Sequence, residues 1–128
     1  MSSELSVLGL YGLVVIITIL VQVLAAAGQV GLGELAKPRD DMPKLTGVAG
    51  RLDRAQINSI IAMALFAPAI FLLEARGAHS AGTLMAAQIF LIARILYVVV
   101  YAMGTPWLRT GLWVLAFLST AWIYLAAL

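Results

Sequence analysis

The 128-residue chain contains no cysteine and few charged residues. The absence of cysteine excludes a disulfide framework, thiolate metal ligands and a cysteine nucleophile. Charged residues make up only 11% of the sequence, whereas they make up about a quarter of a soluble domain. Because 63% of the residues are hydrophobic, the chain has too few polar side chains to cover a water-facing surface. The composition therefore predicts a protein whose surface faces lipid.

The charges that are present nearly balance, with a net charge of +2 and no basic run. This pattern gives no support for nucleic-acid binding, which requires a concentrated basic surface. The only histidine, His79, falls in a predicted loop, where we expect it to contact solvent. With one histidine and no cysteine, the sequence predicts no metal site.

Four apolar stretches follow one another along the chain, each near the ~20 residues that a helix needs to cross a bilayer. Their residues do not alternate between apolar and polar, which excludes the strands of a membrane β-barrel. The last two connections are short, and short connections favour antiparallel neighbours. We therefore predict an all-α integral membrane fold, an antiparallel up-down four-transmembrane-helix bundle. It forms a single membrane domain of residues 1–128, with helices at about 5–30, 51–74, 81–103 and 108–127.

The distribution of basic residues predicts the orientation of the bundle. The first loop, residues 31–50, lies at the same end as the third loop, and Arg76 lies at the opposite end. The end with the first loop carries Lys37, Arg39, Lys44, Arg51, Arg54 and Arg109. Since basic residues collect in cytoplasmic loops, we expect loops one and three to be cytoplasmic and both termini outside. Glu4 and the lack of a basic residue before the first stretch indicate a retained helix rather than a signal peptide.

Polar residues within the predicted membrane helices recur on single helix faces. Residues three, four or seven apart share a face of an α-helix, and each polar residue in a membrane helix is a candidate for function. The second helix carries such a series, and the third carries another. The fourth helix opens with a further arginine at the same end. These candidates for an anion-binding site are Arg51, Arg54, Asn58, Arg94, Tyr97, Tyr101 and Arg109.

Arg94 lies deepest of these residues, roughly 10 Å from the nearest turn at 1.5 Å per residue. A charge at that depth requires an anion, a group of carbonyls or a water-filled cavity, and Asp53 points away from the basic face. This predicts a basic cavity for an anionic ligand. Two alternatives stay open. Arg51 and Arg54 could reach lipid phosphates from their helix end. Arg94 could pair with Asp53 or Glu74 of a neighbour, or with Asn58 and carbonyl groups.

Two strings in these helices resemble those of a known family. The string RLDRAQIN, residues 51–58, resembles the R-x-x-R-A-x-x-N signature of the MAPEG family, the membrane-associated proteins of eicosanoid and glutathione metabolism. The string ARILYVVVY, residues 93–101, resembles its R-x-x-Y-x-x-x-Y pattern, and Arg109 matches an arginine that follows the third turn. With four predicted helices and a long first loop, the whole chain is similar to a bacterial-type member.

The resemblance implies a homotrimer in a bacterial inner membrane, with glutathione bound between subunits. By position, the residues that hold the tripeptide would be Arg54, Gln56, Asn58, Arg94, Tyr97 and Tyr101, beside Arg51 of the same basic face. Arg109 would be the catalytic residue that stabilises the thiolate. The family glutamate that binds the ligand's ammonium group is replaced here by Ile61. The tyrosine that often follows it is Ala62, and the proline commonly found three residues after it is Ala64.

Three functions are compatible with these observations. The first is a glutathione-dependent transferase or peroxidase that acts on lipophilic electrophiles, as the resemblance implies. The second is a non-catalytic membrane protein that binds a lipid or another anion in the same basic intersubunit cavity, which the replacement at Ile61 favours. A small transporter is disfavoured, because no internal repeat is visible.

Overall fold

The computed structural model describes residues 3–38, 40 and 43–128. Arg39, one of the basic residues used to predict orientation, lies outside the described residues. Within these ranges the chain is helical and contains no strand, which confirms the predicted all-α fold. Four of the helices are long and apolar enough to cross a membrane. The elements in chain order are α1 (Glu4–Val30), α2 (Leu32–Ala36), α3 (Gly47–Arg76), α4 (Ala81–Met103) and α5 (Pro106–Ala127).

The helix ends follow from local sequence. The Ser3 hydroxyl caps α1 by accepting a hydrogen bond from the backbone N–H of Ser6. Ser80 and Thr83 form a reciprocal capping box at the start of α4. α4 ends at Met103 and is capped by Gly104, whose φ of 79° is a left-handed conformation that glycine adopts without a steric penalty. Pro106 then begins α5, where its missing N–H costs no hydrogen bond. These signals set the short α4–α5 turn.

The first loop, predicted as residues 31–50, is partly helical. It contains the short helix α2, and α3 begins at Gly47 rather than near Arg51. The side chain of Gln29, at the end of α1, hydrogen-bonds to the backbone of Thr46 at the end of this loop. Its Oε1 accepts from the Thr46 backbone N–H at 2.9 Å, and its Nε2 donates to the Thr46 carbonyl oxygen at 3.1 Å. The loop is therefore tied to α1 immediately before α3 starts.

Three aromatic rings form the centre of the bundle. Phe66 of α3 stacks on Phe90 of α4 with ring centroids 3.8 Å apart, and Tyr11 of α1 meets Phe90 edge-on at 4.8 Å. α3 and α4 each contact the other three long helices. Large apolar side chains such as Ile16, Leu24 and Phe71 point outward and are more than half exposed. An apolar exterior of this kind matches a lipid environment.

The end of the bundle opposite the first loop holds a cluster around His79. His79 is exposed to solvent, as expected, and it also contacts two acids that were not predicted. Its Nδ1 lies 2.7 Å from a carboxylate oxygen of Glu4, and its Nε2 lies 2.7 Å from one of Glu74. Thr83 donates to the other oxygen of Glu4 at 2.9 Å. The hydrogen bond to Glu4 is the main cause that raises the pKa of His79, with added attraction from Glu74.

Candidate functional site

Three helices bring their polar residues together at the end of the bundle that holds the first loop. α3 contributes Arg54, α4 contributes Arg94, Tyr97 and Tyr101, and α5 contributes Arg109. The spacing within α4 places its three residues on one face, as predicted. We call these five residues the arginine–tyrosine cluster.

The rings and guanidinium groups of this cluster form a continuous series of contacts. The guanidinium carbon of Arg94 lies 4.1 Å from the centre of the Tyr97 ring. The Tyr97 and Tyr101 rings meet with centroids 5.6 Å apart. Arg109 lies 4.5 Å from the centre of the Tyr101 ring, and Arg54 donates from Nε to the Tyr101 hydroxyl at 3.2 Å. Each tyrosine ring is therefore in contact with cationic charge, an arrangement that the ring quadrupole stabilises.

Arg94 is the most deeply buried charge in the described residues, with an exposed fraction of 1%. Its Nη2 donates to the hydroxyl of Ser59 at 3.3 Å, and its Nε has no hydrogen-bond partner. No carboxylate of the described residues forms an ion pair with it. Within the chain, neither Asp53 nor Glu74 is its partner. A buried guanidinium with an unused donor has the chemistry to bind an anion.

Two residues that position Arg94 were not predicted from sequence. The Ser59 hydroxyl accepts from Arg94 and donates to the Ala55 carbonyl oxygen at 2.8 Å. The Tyr11 hydroxyl donates to the Ser59 carbonyl oxygen at 2.9 Å, which links α1 to the site. The available signal was weak, namely one serine after Asn58 and one tyrosine in an apolar helix.

A cavity of about 80 Å³ lies between α3, α4 and α5 beside Arg94. Asn58 also lines it, and no described side chain hydrogen-bonds to the Asn58 amide. Most of the remaining wall is apolar and includes Ile61, Leu65 and Phe117. A neighbouring pocket of about 220 Å³ is lined by the two cluster tyrosines and Arg109. The site thus joins cationic and apolar surfaces in adjacent spaces.

Two predicted site residues, Arg51 and Gln56, belong neither to the arginine–tyrosine cluster nor to the cavity beside Arg94. Arg51 donates from Nε to the Ala102 carbonyl oxygen at 2.9 Å and so secures the end of α4. Gln56 donates to the Asp53 carboxylate at 2.9 Å, on another side of α3. Residues two positions apart on a helix point about 200° apart, so Gln56 does not join Arg54 in the cluster.

A family model described as MAPEG family matches residues 5–128, which is essentially the whole chain. The chain belongs to the MAPEG family. No curated protein and no solved structure matches the chain. Together with its four apolar helices, MAPEG membership makes this an integral membrane protein. Among the described residues, no group of three or more histidine, aspartate or glutamate side chains is arranged to hold a metal ion.

Proposed function

We propose that this MAPEG protein binds glutathione at the arginine–tyrosine cluster. It uses glutathione as a transferase or peroxidase, to conjugate lipophilic electrophiles or to reduce lipophilic peroxides. The observation that supports this most strongly is the buried Arg94, with an unused Nε and no acidic partner in the described residues. Glutathione carries two carboxylates, and a guanidinium binds a carboxylate through paired hydrogen bonds. The proposed site therefore supplies cations where the peptide supplies anions.

Arg109 is the residue proposed to act on the thiol. It lies beside the Tyr101 ring and lines the pocket of about 220 Å³. A nearby cation favours the thiolate, which is the nucleophilic form of the thiol. In a conjugation the thiolate sulfur forms a bond to the electrophilic carbon, and the bond to the leaving group breaks. The leaving group departs with the electron pair, and the thiol proton goes to water.

The apolar wall beside Arg94 is proposed to receive the lipophilic electrophile. Ile61 is 54% exposed and Leu65 is 46% exposed, so both line the cavity and also face the surroundings of the bundle. In a bilayer those surroundings are acyl chains or a neighbouring subunit. MAPEG resemblance implies a homotrimer with the site between subunits, and the basic residues favour a cytoplasmic location for this end.

A conjugation assay tests this proposal. Purified protein, glutathione and 1-chloro-2,4-dinitrobenzene should give a thioether and chloride faster than the uncatalysed reaction. We expect Arg109→Ala to lower kcat by about tenfold or more, because loss of one charge-stabilising group commonly costs one to three powers of ten. Arg76→Ala is the matched control, because Arg76 lies at the opposite end and donates only to the Leu128 carbonyl oxygen. Equal rates for the wild type and Arg109→Ala would contradict the assignment of Arg109.

A second candidate function is non-catalytic binding of a lipid or another anion in the same cavity. The apolar Ile61 in the cavity wall favours it, because a single cation beside apolar surface suits an acid with a hydrocarbon tail. Ile61→Glu should place a carboxylate in the wall that holds Arg94 and should lower oleate binding by about tenfold, whereas Ile61→Leu should not. Oleate binding in the absence of any conjugation activity would favour this candidate over the enzyme.

A further inference from the structure

A polar hollow of about 740 Å³ lies along α1 and α3, apart from the cavity beside Arg94. Its polar lining residues are Gln22, Lys44, Asp53, Arg54 and Gln56. Arg54 belongs to both regions, because its Nε donates to the Tyr101 hydroxyl of the arginine–tyrosine cluster. The hollow and the cluster are therefore connected through one side chain on α3.

Asp53 is a half-buried carboxylate within a membrane-spanning helix. Its Oδ1 accepts hydrogen bonds from the amide nitrogen of Gln56 at 2.9 Å and from that of Gln22 at 3.5 Å. In the part of the chain that the structure describes, Oδ2 accepts no hydrogen bond and no basic group pairs with the carboxylate. Pairing with a cation would offset the cost of partly burying this carboxylate. Asp53 is thus oriented by two amides and has an oxygen available for a further donor.

The two cations of the hollow complement this acid. Neither Lys44 nor Arg54 forms an ion pair with a carboxylate of the described residues. The hollow therefore presents a negative group and positive groups that do not neutralise one another. A ligand that carries an ammonium group next to a carboxylate matches this arrangement. The α-amino and α-carboxylate groups at the γ-glutamyl end of glutathione form such a pair.

The cavity beside Arg94 offers no alternative partner for an ammonium group. Its described lining contains cationic, amide, hydroxyl and apolar side chains but no carboxylate. Ile61, which replaces the family glutamate, lies in that wall together with Arg94. If glutathione lies against Arg54, its ammonium group can reach the same hollow, where Asp53 is the carboxylate among the described lining residues.

We propose that the hollow between α1 and α3 binds the amino-acid end of glutathione, with Asp53 accepting hydrogen bonds from the ammonium group and Arg54 pairing with the adjacent carboxylate. This inference rests on the proposed function. It adds a second subsite, and it assigns the ligand's ammonium group to Asp53 in a chain whose other pocket lacks an acid. The remainder of the peptide then extends across the exposed side of Arg54 toward the cluster.

The test compares two peptides on two proteins. Glutathione and its des-amino analogue, glutaryl-cysteinylglycine, are titrated by calorimetry into detergent-purified wild type and Asp53→Asn. Asparagine keeps an oxygen for the Gln22 and Gln56 amides but loses the charge. We expect the wild type to prefer glutathione by about tenfold, the size of one charge-assisted hydrogen bond. Asp53→Asn should lose this preference and bind both peptides as the wild type binds the analogue.

Glu34→Gln is the matched control, because it removes one acid at the same end of the bundle. Glu34 lies outside the hollow and pairs with Lys37 at 3.3 Å. This variant should keep the full preference for glutathione. The wild type alone also tests the idea should Asp53→Asn fold poorly, because equal affinity of the wild type for the two peptides would overturn it. Glutathione binding by the wild type in that case would leave the proposed function intact, whereas no binding would contradict both.

A phospholipid head group is the other source of an ammonium group beside an acid. Wild type and Asp53→Asn in nanodiscs of phosphatidylcholine with or without phosphatidylethanolamine separate the two sources. We expect the wild type to prefer glutathione over the des-amino analogue in both kinds of nanodisc. The inference would be overturned if phosphatidylethanolamine stabilised the wild type but not Asp53→Asn, and if both proteins showed the same peptide preference. That result would assign the hollow to the lipid head group.

Discussion

The guanidinium carbon of Arg94 lies 4.1 Å from the centre of the Tyr97 ring, one turn along the same helix. An aromatic face here takes the place of a carboxylate, and the interaction is weaker than an ion pair in a low-dielectric interior. The positive charge is therefore held in position without being neutralised. Arg94 keeps a free Nε donor in this arrangement, which an internal ion pair would occupy.

The ring of Tyr97, rather than its hydroxyl, is expected to stabilise Arg94. Tyr97→Phe should leave the melting temperature of the purified protein nearly unchanged, because the ring and its cation–π contact remain. Tyr97→Leu should lower the free energy of unfolding by about 1–2 kcal/mol, which includes a desolvated cation–π interaction. Thermal unfolding in detergent measures both. Equal destabilisation by the two variants would show that the hydroxyl carries the interaction instead.

Ser59 is expected to matter more than a comparable serine elsewhere in the bundle. Ser59→Ala removes a hydroxyl that accepts a hydrogen bond from Arg94, so we expect a loss of about 1–3 kcal/mol. Ser119→Ala is the control, because that buried hydroxyl donates only to the Leu115 carbonyl oxygen of its own helix. The two melting temperatures give the comparison. An equal effect of both substitutions would argue against a role of Ser59 in holding Arg94.

His79 predicts a dependence of stability on pH. Its pKa is raised in the folded protein, mainly by the hydrogen bond to Glu4. The contribution to stability is therefore fully present below the unfolded pKa of about 6.5 and is lost as the pH rises through the higher folded pKa. We expect the melting temperature to fall as the pH increases through this window. His79→Gln should flatten the change, and a wild-type melting temperature that rises with pH there would contradict the assignment.

The apolar runs predicted the four long helices because a bilayer sets both the length and the polarity of a spanning segment. The same reasoning grouped Arg94, Tyr97 and Tyr101, since residues three, four and seven apart share a helix face. It did not predict the acids that contact His79, because they lie on two other elements and one of them is 75 residues away. Contacts between remote helix ends leave no periodic signal in the sequence.

Gln56 and Ser59 illustrate a second limit. The motif places Gln56 near Arg54 in sequence, yet the helix turns it to Asp53 and the α1 side. Ser59 follows Asn58 directly, and from sequence alone it is typical of a small core residue, although its hydroxyl contacts Arg94. The identity of the chemistry-bearing helices could be predicted, whereas the partner of each side chain depends on how the helices are rotated against one another.

The most direct test is glutathione binding by calorimetry to wild type and Arg94→Met. Methionine fills much of the same space without the charge, and removal of an unpaired buried charge does not destabilise a protein as the loss of half an ion pair does. We expect Arg94→Met to melt at or above the wild-type temperature and to bind glutathione at least about tenfold more weakly. Arg76→Ala should bind as the wild type does. Unchanged glutathione affinity in a folded Arg94→Met protein would contradict the assignment of the buried arginine as the anion site.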